Sequence, residues 1–179
     1  MIIVVAGPSG SGKTTFISKC IELHLAKAVP VEVFSKKNNR NYEFDIGRKA
    51  VSEEEFLKKQ KSGEYEIINQ YDSSFYGYSL KGCDNSAVYI IDYPGEYPEC
   101  ADLSNYIWKG LLILPPSKEE LISRLKASNR DSRIESACKE YDECLSDIAL
   151  RKLDQWRVFI NDDVAKMESF IHLFFNNLH

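Results

Sequence analysis

The sequence predicts an α/β protein: a three-layer domain with a parallel β-sheet and a small inserted lobe. Three observations carry that prediction. Ile2-Ile3-Val4-Val5-Ala6 is a short apolar run of buried-strand type, and it leads straight into a glycine-rich loop and a helix-spaced apolar series, Phe16, Ile17, Cys20, Ile21, Leu23 and Leu25. Apolar runs at 87–92, 111–114 and 158–160 then alternate with helical patterns, as strands do when helices form the crossovers of a parallel sheet. The stretch from about 35 to 85 breaks the alternation, so the core is assigned to 1–34 and 86–179 and the insertion 35–85 to a separate lobe. At 179 residues the whole chain is read as a single domain.

Composition excludes several classes of function. A formal net charge of −4 argues against nucleic acid as the main partner. The five cysteines (Cys20, Cys83, Cys100, Cys138, Cys144) form no C-x-x-C pair and there are three scattered histidines, so a zinc site is not expected. Free thiols in a reducing, cytoplasmic setting are the plain reading. The apolar start is too short for a signal peptide or a membrane anchor, and no membrane partner is expected.

The loop after the first strand is Gly7-Pro8-Ser9-Gly10-Ser11-Gly12-Lys13-Thr14, followed by Thr15. It matches G-x-x-x-x-G-K-[ST] in the strand-to-helix context that the pattern requires. Glycines let the chain curl so that successive N–H groups point inward at phosphate oxygens, and the start of the helix adds its dipole. Lys13 is placed to reach the β/γ-phosphates and the Thr14 hydroxyl to ligate Mg²⁺. These residues predict nucleoside triphosphate binding on a P-loop NTPase fold.

The remaining elements follow in order. The first helix should fade near Ala28, ahead of Pro30. Val31-Glu32-Val33-Phe34 alternates like a half-wet strand, and Lys36-Lys37-Asn38-Asn39-Arg40-Asn41 reads as a basic loop. Ser52-Glu53-Glu54-Glu55 is a capping box opening a helix that closes at Gly63. Glu64–Tyr71 reads as a strand, and Ser74-Phe75-Tyr76-Gly77-Tyr78 as an aromatic turn. Ala87–Asp92 is a buried strand ending in a carboxylate, the place where an Asp beside a phosphate loop helps hold the Mg²⁺ shell. Asp92-Tyr93-Pro94-Gly95 also spells the D-x-x-G of GTPases, but no N-K-x-D follows, which removes that reading. Leu111–Leu114 is stopped by Pro115-Pro116; Ser117-Lys118-Glu119-Glu120 opens the next helix; a third capping box is expected at Ser132 and Glu135, with a helix to about Leu150. Asn161-Asp162-Asp163 caps the last helix, whose apolar face is Met167, Phe170, Ile171, Phe174 and Phe175.

Together these residues resemble the guanylate kinases, within the nucleoside monophosphate kinases. The markers are the loop, Ser52–Phe56, Tyr76-Gly77, Leu114-Pro115-Pro116-Ser117-Lys118-Glu119-Glu120-Leu121, Arg124-Leu125 and Asn161-Asp162-Asp163. The resemblance implies an enzyme that passes the γ-phosphoryl of ATP to a nucleoside monophosphate, GMP or dGMP by family default. It implies ATP contacts from Gly7 through Thr15 and from Asn161, and a metal shell from Thr14 and Asp92. The acceptor phosphate would be held by Lys37 and Arg40, which keep the spacing of the family's R-x-x-R, and by Tyr76. Arg48 stands where the family has a tyrosine and joins that set. Arg130 and Arg133 fall in the lid, about 128–133, and with Lys13 form the expected catalytic group.

The same alignment shows departures. The family's guanine-reading glutamate falls on Ile67, with Glu66 one residue away, and its small base-reading hydroxyl residue falls on Tyr78. A further lid-helix arginine falls on Lys139 or Glu140, and the first of two aspartates on Ile90. Alternatives therefore stay open: another nucleotide or a sugar phosphate such as ribose bisphosphate as acceptor, or a nucleotide-binding module without catalysis. Either a monomer or a homodimer is compatible with the sequence.

Overall fold

The structure, a computed structural model, describes residues 1–36, 47–84, 86–94, 103–149 and 156–178. In chain order the elements are β1 (Ile2–Ala6), α1 (Lys13–Glu22), β2 (Lys27–Ala28), β3 (Val31–Ser35), β4 (Arg48–Ala50), α2 (Glu53–Lys61), β5 (Ile67–Tyr71), β6 (Ser74–Tyr78), β7 (Tyr89–Asp92), β8 (Trp108–Leu114), α3 (Lys118–Ala127), α4 (Ile134–Ala149), β9 (Trp156–Ile160) and α5 (Val164–Asn176). The main sheet has five strands, all parallel to their neighbours, in the order β2-β7-β1-β8-β9. A second sheet has four strands in the order β4-β3-β6-β5.

Side-chain alternation along the buried strands sets the layers. Ile3, Val5, Ile90, Leu111 and Ile113 meet Phe16, Ile17 and Cys20 of α1 and Met167, Ile171 and Phe174 of α5. On the opposite face Ala6, Leu112 and Leu114 meet Leu121 and Leu125 of α3 and Ala137, Tyr141 and Cys144 of α4. The rest of that face, Ile2, Val4, Tyr89 and Ile91, is covered by Val31, Val33, Ile67, Tyr76 and Tyr78 of the small sheet. The predicted lobe is thus a second sheet sharing a core with the first, rather than a separate unit.

Several boundaries move. The first helix ends at Glu22, not near Ala28, because His24 takes a left-handed φ of 56° and the main sheet claims the backbone beyond it. The N–H groups of Lys27 and Val29 donate to the carbonyls of Val88 and Ile90. Val31–Ser35, placed in the core by the sequence, pairs with β4 and β6, so the lobe begins at Val31 rather than at residue 35. The aromatic stretch 74–78 is strand β6 and not a turn; the reversal lies at Asp72, with a φ of 55°, and Tyr71 faces Ser74 across it. Tyr and Phe fit a pleated, half-buried surface, which explains the strand. A Cβ on Gly77 would lie 2.7 Å from the Tyr65 ring, so a strand glycine here admits a ring that covers the backbone.

Ser52 and Ser117 cap their helices as expected, their Oγ atoms accepting from the N–H groups of Glu55 at 3.1 Å and Glu120 at 3.2 Å. Asp163 caps α5 through the Ala165 N–H at 2.9 Å. By contrast α4 starts at Ile134 after a turn of 3-10 helix over Asp131–Arg133, which takes in the expected cap at Ser132. Among the described residues no helix is long and apolar enough to cross a membrane.

Candidate active site

Strand β1 delivers the loop to the carboxyl end of the sheet, the end at which parallel α/β sheets bind ligands. The loop's curl depends on two glycines. Gly7 has a φ of 137° and Gly12 a φ of 103°; a Cβ on the first would meet the Ile113 carbonyl oxygen at 2.1 Å, and on the second Asn161 Nδ2 at 2.2 Å. Asn161, buried at the end of β9, donates from Nδ2 to the Ser11 carbonyl at 2.8 Å and fastens the loop. Helix α1 begins at Lys13 with no acidic residue in its first turn, so its free N–H groups keep their attraction for an anion. Lys13 Nζ donates to the carbonyls of Gly7 at 2.6 Å and Pro8 at 3.1 Å. Burial pushes its ammonium below the ordinary lysine range, against the pull of Asp92 and Glu140. Ser11 Oγ is buried without a partner among the described residues.

A cleft of about 520 Å³ opens over the loop. Gly7, Ser9, Gly10, Gly12, Lys13, Thr14, Thr15 and Asn161 line it on the loop side; Pro8 and Ser11 do not, and contribute backbone to the curl. The lobe and β7 add Arg48, Tyr76 and Asp92, and the lid segment adds Arg130 and Arg133. Arg48 donates from an Nη to Asp92 Oδ2 at 2.5 Å, and its guanidinium lies 5.6 Å from the centre of the Tyr76 ring. Asp92 Oδ1 is buried with no hydrogen-bond partner among the described residues. Lys37 and Arg40 lie outside the described residues.

The two positions that align with guanine readers are in the core. Ile67 is 2% exposed and Tyr78 0%, and the Tyr78 hydroxyl donates to the Asp92 carbonyl at 3.1 Å. Glu66 is not in the cleft lining either; its Oε2 accepts from the Leu80 N–H at 2.7 Å. Tyr71 and Glu140 are among the lining residues that were not singled out in the sequence as site residues. The Tyr71 hydroxyl donates to Glu140 Oε1 at 2.6 Å, and the Ser9 N–H to Oε2 at 3.2 Å. Tyr71 shares a strand face with Ile67 and Asn69, and Glu140 follows Ala137 by three residues on α4, so strand and helix periods were the available signals. Of the two positions offered for the lid-helix arginine, Glu140 faces the cleft, whereas Lys139 is 78% exposed and pairs with Glu143.

A parallel sheet, a lysine-bearing phosphate loop and arginines and a tyrosine on the facing side of one cleft define a phosphotransferase of the nucleoside monophosphate kinase type. The chain belongs to the guanylate kinase family. The guanylate kinase of Wolbachia pipientis is 30% identical over 181 residues, spanning 93% of this chain and 84% of that protein. That of Vibrio cholerae is 30% identical over 177 residues, 93% of this chain and 84% of the relative. The fold matches the crystal structure of guanylate kinase from Anaplasma phagocytophilum with a TM-score of 0.60 at 18% identity, covering 98% of this chain and 84% of that one. A search against family models found no match.

Proposed function

We propose that this protein transfers the γ-phosphoryl of ATP to the phosphate of a nucleoside monophosphate, as the name of its relatives suggests. The observation that carries the reading is one cleft with Lys13 and the loop on its donor side and Arg48 and Tyr76 on the lobe side. Phosphoryl transfer needs alignment and cancellation of charge rather than covalent help, and cations on both substrates supply that. The loop residues Gly7 through Thr15 and Asn161 bind ATP. Lys37, Arg40, Arg48 and Tyr76 hold the acceptor phosphate, and Arg130 and Arg133 cover the transferring group. Arginine forks grip phosphate oxygens in pairs, while Lys37 acts as a point charge.

The residues fit Mg²⁺. An exposed hydroxyl at Thr14 and a buried carboxylate oxygen without a partner, Asp92 Oδ1, are the oxygen donors that a hard cation prefers. When bound, Mg²⁺ supplies neutralising charge to the donor's phosphate oxygens.

A second reading concerns the acceptor. With Ile67 and Tyr78 in the core, a guanine entering in the family manner finds no carboxylate at either aligned position for its N1–H and amine. An unpaired buried polar group costs about 1–3 kcal/mol, so two losses lower kcat/KM for GMP by roughly 10²–10⁴. Another nucleotide or a sugar phosphate then becomes the better acceptor, with the phosphate clamp unchanged. Measuring kcat/KM for GMP, dGMP, AMP, CMP, UMP and ribose 1,5-bisphosphate decides between them. A GMP value within about tenfold of that of a relative such as the Vibrio enzyme retains guanine as the acceptor base. Turnover on none of the six would count against the phosphotransferase reading.

A further inference from the structure

Glu140 is an anion in the cleft that the transfer reading does not use. It lies on the face of α4 that carries Ala137, Tyr141 and Cys144, three and four residues apart, and so leans toward the sheet. Its carboxylate accepts from the Ser9 N–H through Oε2 and from the Tyr71 hydroxyl through Oε1, at 3.2 and 2.6 Å. Ser9 belongs to the donor loop and Tyr71 to β5 of the acceptor lobe. One carboxylate therefore spans the gap between the two substrate sides. An N–H of a phosphate loop is by its chemistry a donor to a phosphate oxygen, and here a carboxylate oxygen takes it.

We propose that Glu140 is a positioning residue of the transfer gap. Its carboxylate stands where the terminal phosphate of the donor must come, and ties loop to lobe through Ser9 and Tyr71. Two anions cannot share one N–H, so a triphosphate displaces Glu140 and releases the Tyr71 hydroxyl toward the acceptor. Glu140 thereby weakens triphosphate binding, and weakens it more than diphosphate binding, because a diphosphate stops short of the gap. This inference rests on the phosphotransferase reading.

The test is calorimetric binding of Mg²⁺ with a non-hydrolysable ATP analogue, and separately with ADP, to the full chain. Glu140→Gln keeps the shape and removes the charge; it should tighten the ATP analogue about tenfold and ADP by less than about threefold. Tyr71→Phe removes one anchor of the carboxylate and should shift triphosphate affinity the same way by a smaller factor. A residue with a merely structural part in the cleft would lose affinity on substitution, not gain it. Unchanged or weaker triphosphate binding by Glu140→Gln with an unaltered thermal transition overturns the proposal, as does equal tightening for both nucleotides. If Glu140→Gln does not fold, Tyr71→Phe decides alone, with tighter triphosphate binding in support and unchanged or weaker binding against. A wild type that binds and turns over ATP while both variants show no gain overturns the role of Glu140 and leaves the phosphotransferase reading standing. Binding of neither nucleotide by wild type or variants overturns both.

Discussion

Lys13 is the side chain on which the proposed donor site turns. Its ammonium is held by the carbonyls of Gly7 and Pro8, and burial lowers its proton affinity. In the proposed reading the same atom turns to the phosphate oxygens of the donor. Lys13→Ala leaves the glycine geometry and the Asn161 brace in place, so the fold should survive with little change in its thermal transition. Losing one preorganised cation at the transferring group costs about 10²–10³ in kcat. Turnover near that of the wild type would show that the loop does not act on the donor as proposed. Arg48 is the second residue of interest: it replaces a family tyrosine, yet it lies against Tyr76 and holds Asp92. An acceptor phosphate on Arg48 would compete with Asp92 for the same guanidinium, linking the acceptor and metal sides of the cleft.

At the scale of elements, Glu32 joins α2 to the small sheet. On the wet face of β3, its carboxylate accepts from Lys59 Nζ at 2.6 and 2.8 Å and from the Tyr65 hydroxyl. Burial pushes the Glu32 carboxyl up, but the bonds from Lys59 and Tyr65 outweigh it, and the group lies below the ordinary carboxylate range. A folded value below the unfolded one, about 4.3 for glutamate, adds stability that is fully present above that pH and is lost as pH falls through the folded value. Glu32→Gln should therefore lower the thermal midpoint near neutrality, and the gap to the wild type should close as pH is taken down through the acid range. A gap that stays constant to the acid limit would mean that the contact contributes through packing alone. Tyr65, in turn, lies across Gly77, so this polar link and the strand glycine form one arrangement.

Across the whole molecule, the two sheets and the lid segment meet at one cleft, and closure over two substrates should exclude the water that would hydrolyse ATP. A two-substrate analogue joining ATP to the acceptor should protect the 128–133 segment and the inserted lobe from proteolysis. Equal cleavage with and without it would argue against a closing kinase. The shared core of the two sheets bears on how the lobe can move. With Val31, Val33, Ile67, Tyr76 and Tyr78 packed on Ile2, Val4, Tyr89 and Ile91, a rigid swing of the whole small sheet would open apolar surface. Motion is therefore expected at the rim, in the lid and around the loops, with the floor of the lobe staying in place.

The sequence by itself determined whatever depends on local order and spacing. The phosphate loop was legible because its glycines, lysine and threonine are contiguous, and the caps at Ser52, Ser117 and Asp163 because a cap acts within three residues. Buried strands were legible as apolar runs, though the short edge strand Lys27–Ala28 was not, since two residues carry no period and the main sheet alone draws them in. Tertiary structure decided which strands share a sheet, and so moved Val31–Ser35 into the lobe and made 74–78 a strand, because pairing partners lie far apart in the chain. It also decided which of two adjacent residues on α4 enters the cleft. Lys139 and Glu140 are adjacent in the sequence; about 100° of helical rotation separates their directions, and only the packing of Ala137, Tyr141 and Cys144 on the sheet selects the carboxylate.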